Sequence, residues 1–382
     1  MIVPVLPLFL FIVLGANYAL IGLIDGAAEA SANFVRLYSG YWADRAKKRK
    51  PLIVAGYAPT AFLKPLLALS TVWWQVLLLR IPDRMAKGGR GPARDALMDD
   101  AIPRELRGAA FGLHRAMDTA GAIGGALLAL AFIALLPGTD AEVYRQMFLI
   151  ATIPAVASVA VLAFFVKEKE REPPPKAAPS FKGSLGLLPR RLRVFYSASA
   201  LFTLGTVTPI LAMLRAVDVG AGITAAVALF VLYHGMEAAL SYPAGRLSDR
   251  IGRGPPLAAG FVLAAAGAVF FALAPTYMLP VGFALLGAAA GLTDGLQKTF
   301  VIDLAPSEVK GTALGVHYGI TGAAALGAGL MIGGLWLLFG GLVAFGAAAA
   351  ASTAGLLVLL TLMAKGSAEE RPNGQRSPWS KW

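Results

Sequence analysis

The chain has 382 residues, of which 57% are hydrophobic and only 15% charged. Soluble domains average about 45–50% apolar and about 25% charged, and the mean hydropathy here is +0.67. There is no cysteine, which excludes disulfides, thiolate metal sites and cysteine nucleophiles together. A net charge of +12 would indicate nucleic acid in a soluble protein, but the location of that charge points elsewhere.

Apolar runs of about 20 residues, the length of a bilayer-spanning helix, recur along the chain. The first set falls near 1–15, 17–42, 52–71, 73–98, 108–136 and 143–166. The second falls near 194–215, 222–245, 255–274, 277–301, 311–338 and 341–364. The expectation is an all-α membrane protein of twelve transmembrane helices in two pseudo-symmetric six-helix bundles, 1–166 and 194–364. Between them, 167–193 is charged and proline-rich and reads as a cytoplasmic linker. The polar tail 365–382 reads as disordered.

The second span must end near residue 42, with Gly15-Ala16-Asn17 as the preceding turn. Only about 14 residues then remain for the first span, about 21 Å at 1.5 Å per residue, against a hydrocarbon core of about 30 Å. The expectation is a truncated first helix.

With the loop after the second span on the cytoplasmic side, that side's loops and tail collect 23 Lys and Arg, against Arg145 and Arg215 opposite. By the positive-inside rule both termini are cytoplasmic in an inner (cytoplasmic) membrane. The lipid bilayer, not nucleic acid, is then the partner of the positive charge.

The halves repeat one another. Residues 98–114, MDDAIPRELRGAAFGLH, align without gaps to 301–317, VIDLAPSEVKGTALGVH, with seven of 17 positions identical, among them Asp100/Asp303 and His114/His317. Gly40-x3-Asp44-Arg45 recurs as Gly245-x3-Asp249-Arg250. Duplicated six-helix units are an architecture of alternating-access transporters, with the site between the halves near the bilayer midplane.

Gly40-Tyr-Trp-Ala-Asp44-Arg45-Ala-Lys47-Lys48-Arg49 resembles the loop motif of the major facilitator superfamily between helices 2 and 3. Gly245-Arg-Leu-Ser-Asp249-Arg250-Ile-Gly252-Arg253 resembles its repeat between helices 8 and 9. The first copy departs at Lys47, where the motif usually has glycine. The resemblance spans the chain and implies a secondary transporter, neither enzyme nor ATPase, with a small-molecule substrate and no cofactor. The run RDALMDD…RGAAFGLHRAMDTAG resembles a prokaryotic permease or efflux subgroup of undefined substrate. A carboxylate at a helix end beside basic residues can pair in one rocking state and release in the other, which makes Gly40, Asp44, Arg45, Gly245, Asp249 and Arg250 candidates for a conformational latch. Simple binding of anionic lipid by the basic run is the alternative.

Charges inside the spans supply the candidate cavity. Arg80, Asp83, Arg84, Lys87, Arg90, Arg94 and Asp95 fall within about 140° of arc on the fourth span. A charge facing lipid costs about 2.5–3.5 kcal/mol at a helix centre, so this stripe faces water or protein. Pro82 and Pro92 are expected to kink that helix. Asp25, Glu29 and Arg36 share about 40° of the second span. His114 and Asp118 stand at i, i+4 on the fifth, and Glu237 and Asp294 carry charge in the second half. Carboxylates in a partly dehydrated cavity exchange protons near neutral pH; permanent ion pairing is the alternative. Arg80, Arg84 and Lys87 can receive an anionic group of the substrate or be neutralised by carboxylates of the second span. No metal-ligand pattern stands out among the three histidines.

Two readings of function follow. The first is proton-coupled efflux of a small organic compound, as an antiporter working by alternating access. The other is proton-coupled uptake of an organic anion, or a non-transporting sensor or assembly protein with a transporter fold. The expected oligomeric state is a monomer.

Overall fold

A computed structural model of the chain describes residues 2–45, 48–101, 107–135, 141–166, 168, 185–273, 276–306 and 309–369; among them there is no strand. Helix α1 (Ile2–Leu8) continues as a π-helical turn, Phe9–Val13. The chain turns at Gly15, whose φ of 64° suits glycine. Asn17 Oδ1 then accepts from Leu20 N at 3.0 Å and caps α2 (Tyr18–Arg45).

Helices α3 (Lys50–Ala68), α4 (Trp73–Ala101) and α5 (Arg107–Leu135) follow. Helix α4 is one continuous element with Pro82 and Pro92 inside it. The sixth apolar run is two helices, α6 (Ala141–Ile150) and α7 (Thr152–Phe165). Beyond α7, the Glu168 carboxylate accepts from the backbone N–H groups of Arg49 (2.6 Å) and Lys50 (2.8 Å). It thereby satisfies donors at the α3 N-terminus that the helix leaves open. Most of the 167–193 segment lies outside the described residues.

The second half begins with α8 (Arg190–Leu204) and α9 (Pro209–Asp218), one apolar run broken at 205–208. The Thr208 side chain caps α9, accepting from Leu211 N at 3.3 Å, and Pro209 occupies the first turn where no N–H is needed. Then come α10 (Ile223–Ile251), α11 (Gly254–Leu273), α12 (Leu279–Leu304) and α13 (Lys310–Glu369). Gly340 breaks α13 with φ 81°, so its two limbs are separate helices. The second limb runs to Glu369, into the segment expected to be a disordered tail.

Among the described residues, seven helical segments are long and apolar enough to cross a membrane. The set does not contain α2 or α4, the helices with the charged stripes, so length and hydropathy do not by themselves give the expected twelve. Phe164 and Phe165 on α7 are 80% and 79% exposed, which is costly in water and natural against lipid.

The packing explains where a cavity sits. One apolar core joins both halves at the ends remote from the basic loops, with Phe9, Ile21, Phe148, Leu211, Phe230, Ile332 and Phe345 in one cluster. At that end the Tyr18 hydroxyl donates to Asp218 Oδ1 at 2.8 Å while its ring stacks on Trp336 at 4.0 Å. Arg215 pairs with the same carboxylate at 2.7 Å. A second core, around Phe195, Phe261, Leu296 and Leu359, belongs to the second half alone. Along the seam between halves, α2 and the first limb of α13 touch backbone to backbone at Gly22 and Gly329.

Candidate functional site

The charged stripe of α4 is held in place from behind. Ala32 of α2 lies against Gly88, and Arg90 lies against Gly56 of α3, so closely that a Cβ on either glycine would collide. Ala93 on the same side is fully buried. With that face committed to packing, the arginines and lysines turn toward two chambers.

The larger chamber has a volume of about 1000 Å³ and draws its wall from both halves. Glu29, Arg36, Lys87, Arg90 and Asp118 line it from the first half, and Glu237 and Asp294 from the second. Arg36 pairs with Glu29 at 3.4 Å, hydrogen-bonds Asn33, and lies 5.7 Å from the Tyr318 ring centroid across the seam. Arg94 bridges to Asp118 on α5 at 3.8 Å. His234 Nδ1 meets Glu237 at 2.8 Å. Arg90 sits 3.8 Å over the Tyr57 ring, a favourable position for a guanidinium.

The smaller chamber, about 390 Å³, is walled by Arg80, Asp83, Arg84 and Lys87 of α4 with Lys64 of α3 and several leucines. Arg80 pairs with Asp83 at 3.6 Å, their side chains 5% and 20% exposed. Arg80 Nε and Asp83 Oδ1 find no protein partner among the described residues. Asp25 lies beside Arg80 in a narrow apolar gap bounded by Leu6, Leu10, Ile24 and Ile210. The Thr208 hydroxyl at the head of α9 lies near its carboxylate, a polar approach that crosses between the halves.

His114 has no described side chain. The same holds for Gly40, Asp44 and Arg45, so the first copy of the latch lies outside what the structure describes. In the second copy Asp249 is paired with Arg253 of the same motif. Arg250 is exposed and makes no recorded ion pair among the described residues; Arg253 bonds Asp249 and the Ser248 hydroxyl through Nη1 and Asp303 Oδ2, at 3.2 Å, through Nε. Gly252, with φ 87°, turns the chain just past α10 so that Arg253 folds back on it and reaches the end of α12. Burial of the guanidinium pulls its pKa down, but the bonds from Asp249 and Asp303 outweigh this and the net shift is upward.

Arg253→Gln is therefore expected to free the α10 end from α12. Each pair is partly exposed and worth on the order of 1 kcal/mol or less. Tryptic nicking after Arg250, a site that the substitution leaves in place, should rise several-fold while the unfolding midpoint moves little. Unchanged nicking would show that Arg253 ties nothing.

Lys64, Tyr57, Thr208, Arg253 and Asp303 join the sites although the sequence reading gave them no role. Asp303 was visible as the repeat of Asp100. Lys64, a cation inside an apolar run, was visible as an isolated charge.

The chain matches the family model described as Major Facilitator Superfamily twice, over residues 1–214 and 193–382. It is 36% identical over 345 residues to an uncharacterized MFS-type transporter of Methanocaldococcus jannaschii, covering 88% of this chain and 84% of the relative. It is 25% identical over 367 residues to the gentisate transporter of Corynebacterium glutamicum, covering 90% and 80%. Its fold is similar to the crystal structure of the nucleoside transporter NupG, with TM-score 0.72, 16% identity and coverage of 94% and 93%. A family model matched twice across the whole length, and a charged chamber walled by both halves, lead to one conclusion: the chain belongs to the major facilitator superfamily and is a multi-pass membrane transporter.

Proposed function

We propose that this transporter moves a small organic solute across the cytoplasmic membrane by rocking of two six-helix bundles, 1–166 and 194–364, with both termini cytoplasmic and movement coupled to protons. One observation carries the reading: a chamber of about 1000 Å³ takes charged wall residues from both halves at once. Solute pockets run to about 300–1,000 Å³, and a wall shared between halves is remade whenever they rock.

Asp25 is the proposed coupling carboxylate. It meets Thr208 across the seam, facing Arg80, Arg84 and Glu29. Rocking that separates α2 from α9 breaks this contact and changes what solvates the carboxylate. The direction we favour is export in exchange for protons. Uptake of an organic anion with protons is the second reading, favoured by the cations of the α4 stripe; a relative is named for gentisate, an organic anion.

The test is proton flux in proteoliposomes read by a pH-sensitive dye, with neutral, cationic and anionic solutes. The wild type should show solute-dependent flux that Asp25→Asn lowers at least tenfold while solute exchange persists. The sign of the pH change reads the direction. Flux unaltered in Asp25→Asn would remove Asp25 from coupling, and solute movement without any proton flux would overturn proton coupling itself.

A further inference from the structure

We propose that Lys64, Arg84 and Lys87 form a subsite for the anionic group of the cargo, and that the cargo is a small organic anion with an apolar body. This inference rests on the transport reading and adds the class of solute.

The smaller chamber has one carboxylate in its wall, Asp83, against four cations, Lys64, Arg80, Arg84 and Lys87. Arg80 is paired with Asp83. The other three have no ion pair among the described residues. They are not merely adjacent in sequence: Lys64 comes from α3 and the others from one face of α4, spaced i, i+3. Lys87 lies within Coulombic range of Arg84, Arg36 and Arg90, with Glu29 its nearby counter-charge. Glu29 is already taken by Arg36.

Like charges converging in one chamber repel, and an arriving anion relieves that repulsion. Ammonium and guanidinium groups together suit a carboxylate or phosphate. The rest of the wall fixes the remainder of the ligand. Leu63, Leu67, Leu79 and Leu128 surround the cations, so an aryl or alkyl body is accommodated where a sugar or a zwitterion would strand its polar groups. Lys87 also faces the larger chamber, so a solute there reaches this subsite without crossing the packed seam.

A lipid headgroup phosphate carries the same chemistry as a free organic anion, and the experiment separates the two. Benzoate, benzamide and benzylamine match in size and differ in charge; phenyl phosphate and octanoate, each with its neutral alcohol or amide, extend the series. Binding is read as the shift in unfolding midpoint of the purified protein in discs of neutral lipid. The expected result is a shift with at least one anion and none with its neutral or cationic counterpart. Lys64→Gln, Arg84→Gln and Lys87→Gln should each weaken that binding at least tenfold, and Lys64→Arg should restore most of it. For each variant the shift is taken against its own ligand-free midpoint, so that a change in stability is not read as a change in binding.

Neutral or cationic solutes binding as tightly as anions, or no anion binding at all, would overturn the subsite. Displacement of the anion by added phosphatidylglycerol would assign the cations to lipid and overturn the cargo role. Counterflow of labelled solute keeps the two readings apart. Counterflow of a neutral solute with no anion binding sinks the subsite and leaves transport standing. Anion binding lost in the variants, without any counterflow, supports the subsite and sinks transport.

Discussion

Gly22→Val is expected to open the seam between the halves. A Cβ at Gly22 meets the carbonyl oxygen of Gly329, one at Gly329 meets that of Gly22, and one at Gly333 meets that of Tyr18, all inside contact distance. The obstacle in each case is backbone, which cannot swing aside as a side-chain tip does. Forcing extra methyl groups into a packed site costs about 1–3 kcal/mol, and a backbone obstacle places this at the upper end. Each 1.4 kcal/mol is a factor of about ten in an equilibrium, so the closed seam loses population about a hundredfold. The chain lacks cysteine, so a single Ile332→Cys, fully buried on α13, reports the seam cleanly. Its maleimide labelling should be at least tenfold faster in Gly22→Val and in Gly329→Val. Gly334, next to Gly333 but with nothing within 4 Å of its added Cβ, is the control. If Gly334→Val accelerates labelling as much as Gly22→Val, close backbone approach is not what holds the halves together.

That seam marks a boundary in what the sequence reveals. Span limits were legible because each is written locally: Gly15-Ala16-Asn17 turns before α2, Gly252 ends α10, and polar or proline-rich breaks separate the apolar runs. The charged stripe on α4 was legible for the same reason, since 100° per residue decides which side chains share a face. Which of the many glycines touch another backbone was not, because Gly22 and Gly334 look alike until α13 is laid against α2. Which of the motif's basic residues meets Asp249 was not legible either. Asp249 and Arg250 are adjacent, so they point about 100° apart on a helix, and the residue that bonds Asp249 is Arg253, delivered by the left-handed turn at Gly252. Thr208 was hidden more thoroughly. It comes near Asp25 only because the run 194–215 breaks into two helices, and hydropathy averages across such a break.

Removing Arg80 alone should cost more stability than removing it together with Asp83. Arg80 is a charged side chain only 5% exposed, and the Asp83 carboxylate 3.6 Å away is 20% exposed. Truncating one partner of a buried pair typically costs about 3–5 kcal/mol, because the other charge is stranded, whereas replacing both by apolar groups is often neutral or better. Arg80→Met and Asp83→Leu should each lower the unfolding midpoint in detergent substantially, and the double variant should recover much of the loss. Additive effects would mean that the pair does not act as a unit. Arg80 also faces Asp25 across the narrow gap, so a second cycle with Asp25→Asn apportions the guanidinium between its two carboxylates. Stronger coupling to Asp83 makes Arg80 a fixed part of α4. Stronger coupling to Asp25 makes it the group that must be released when the proposed proton site is loaded, and then Arg80→Met should abolish proton flux even in the double variant whose stability has returned.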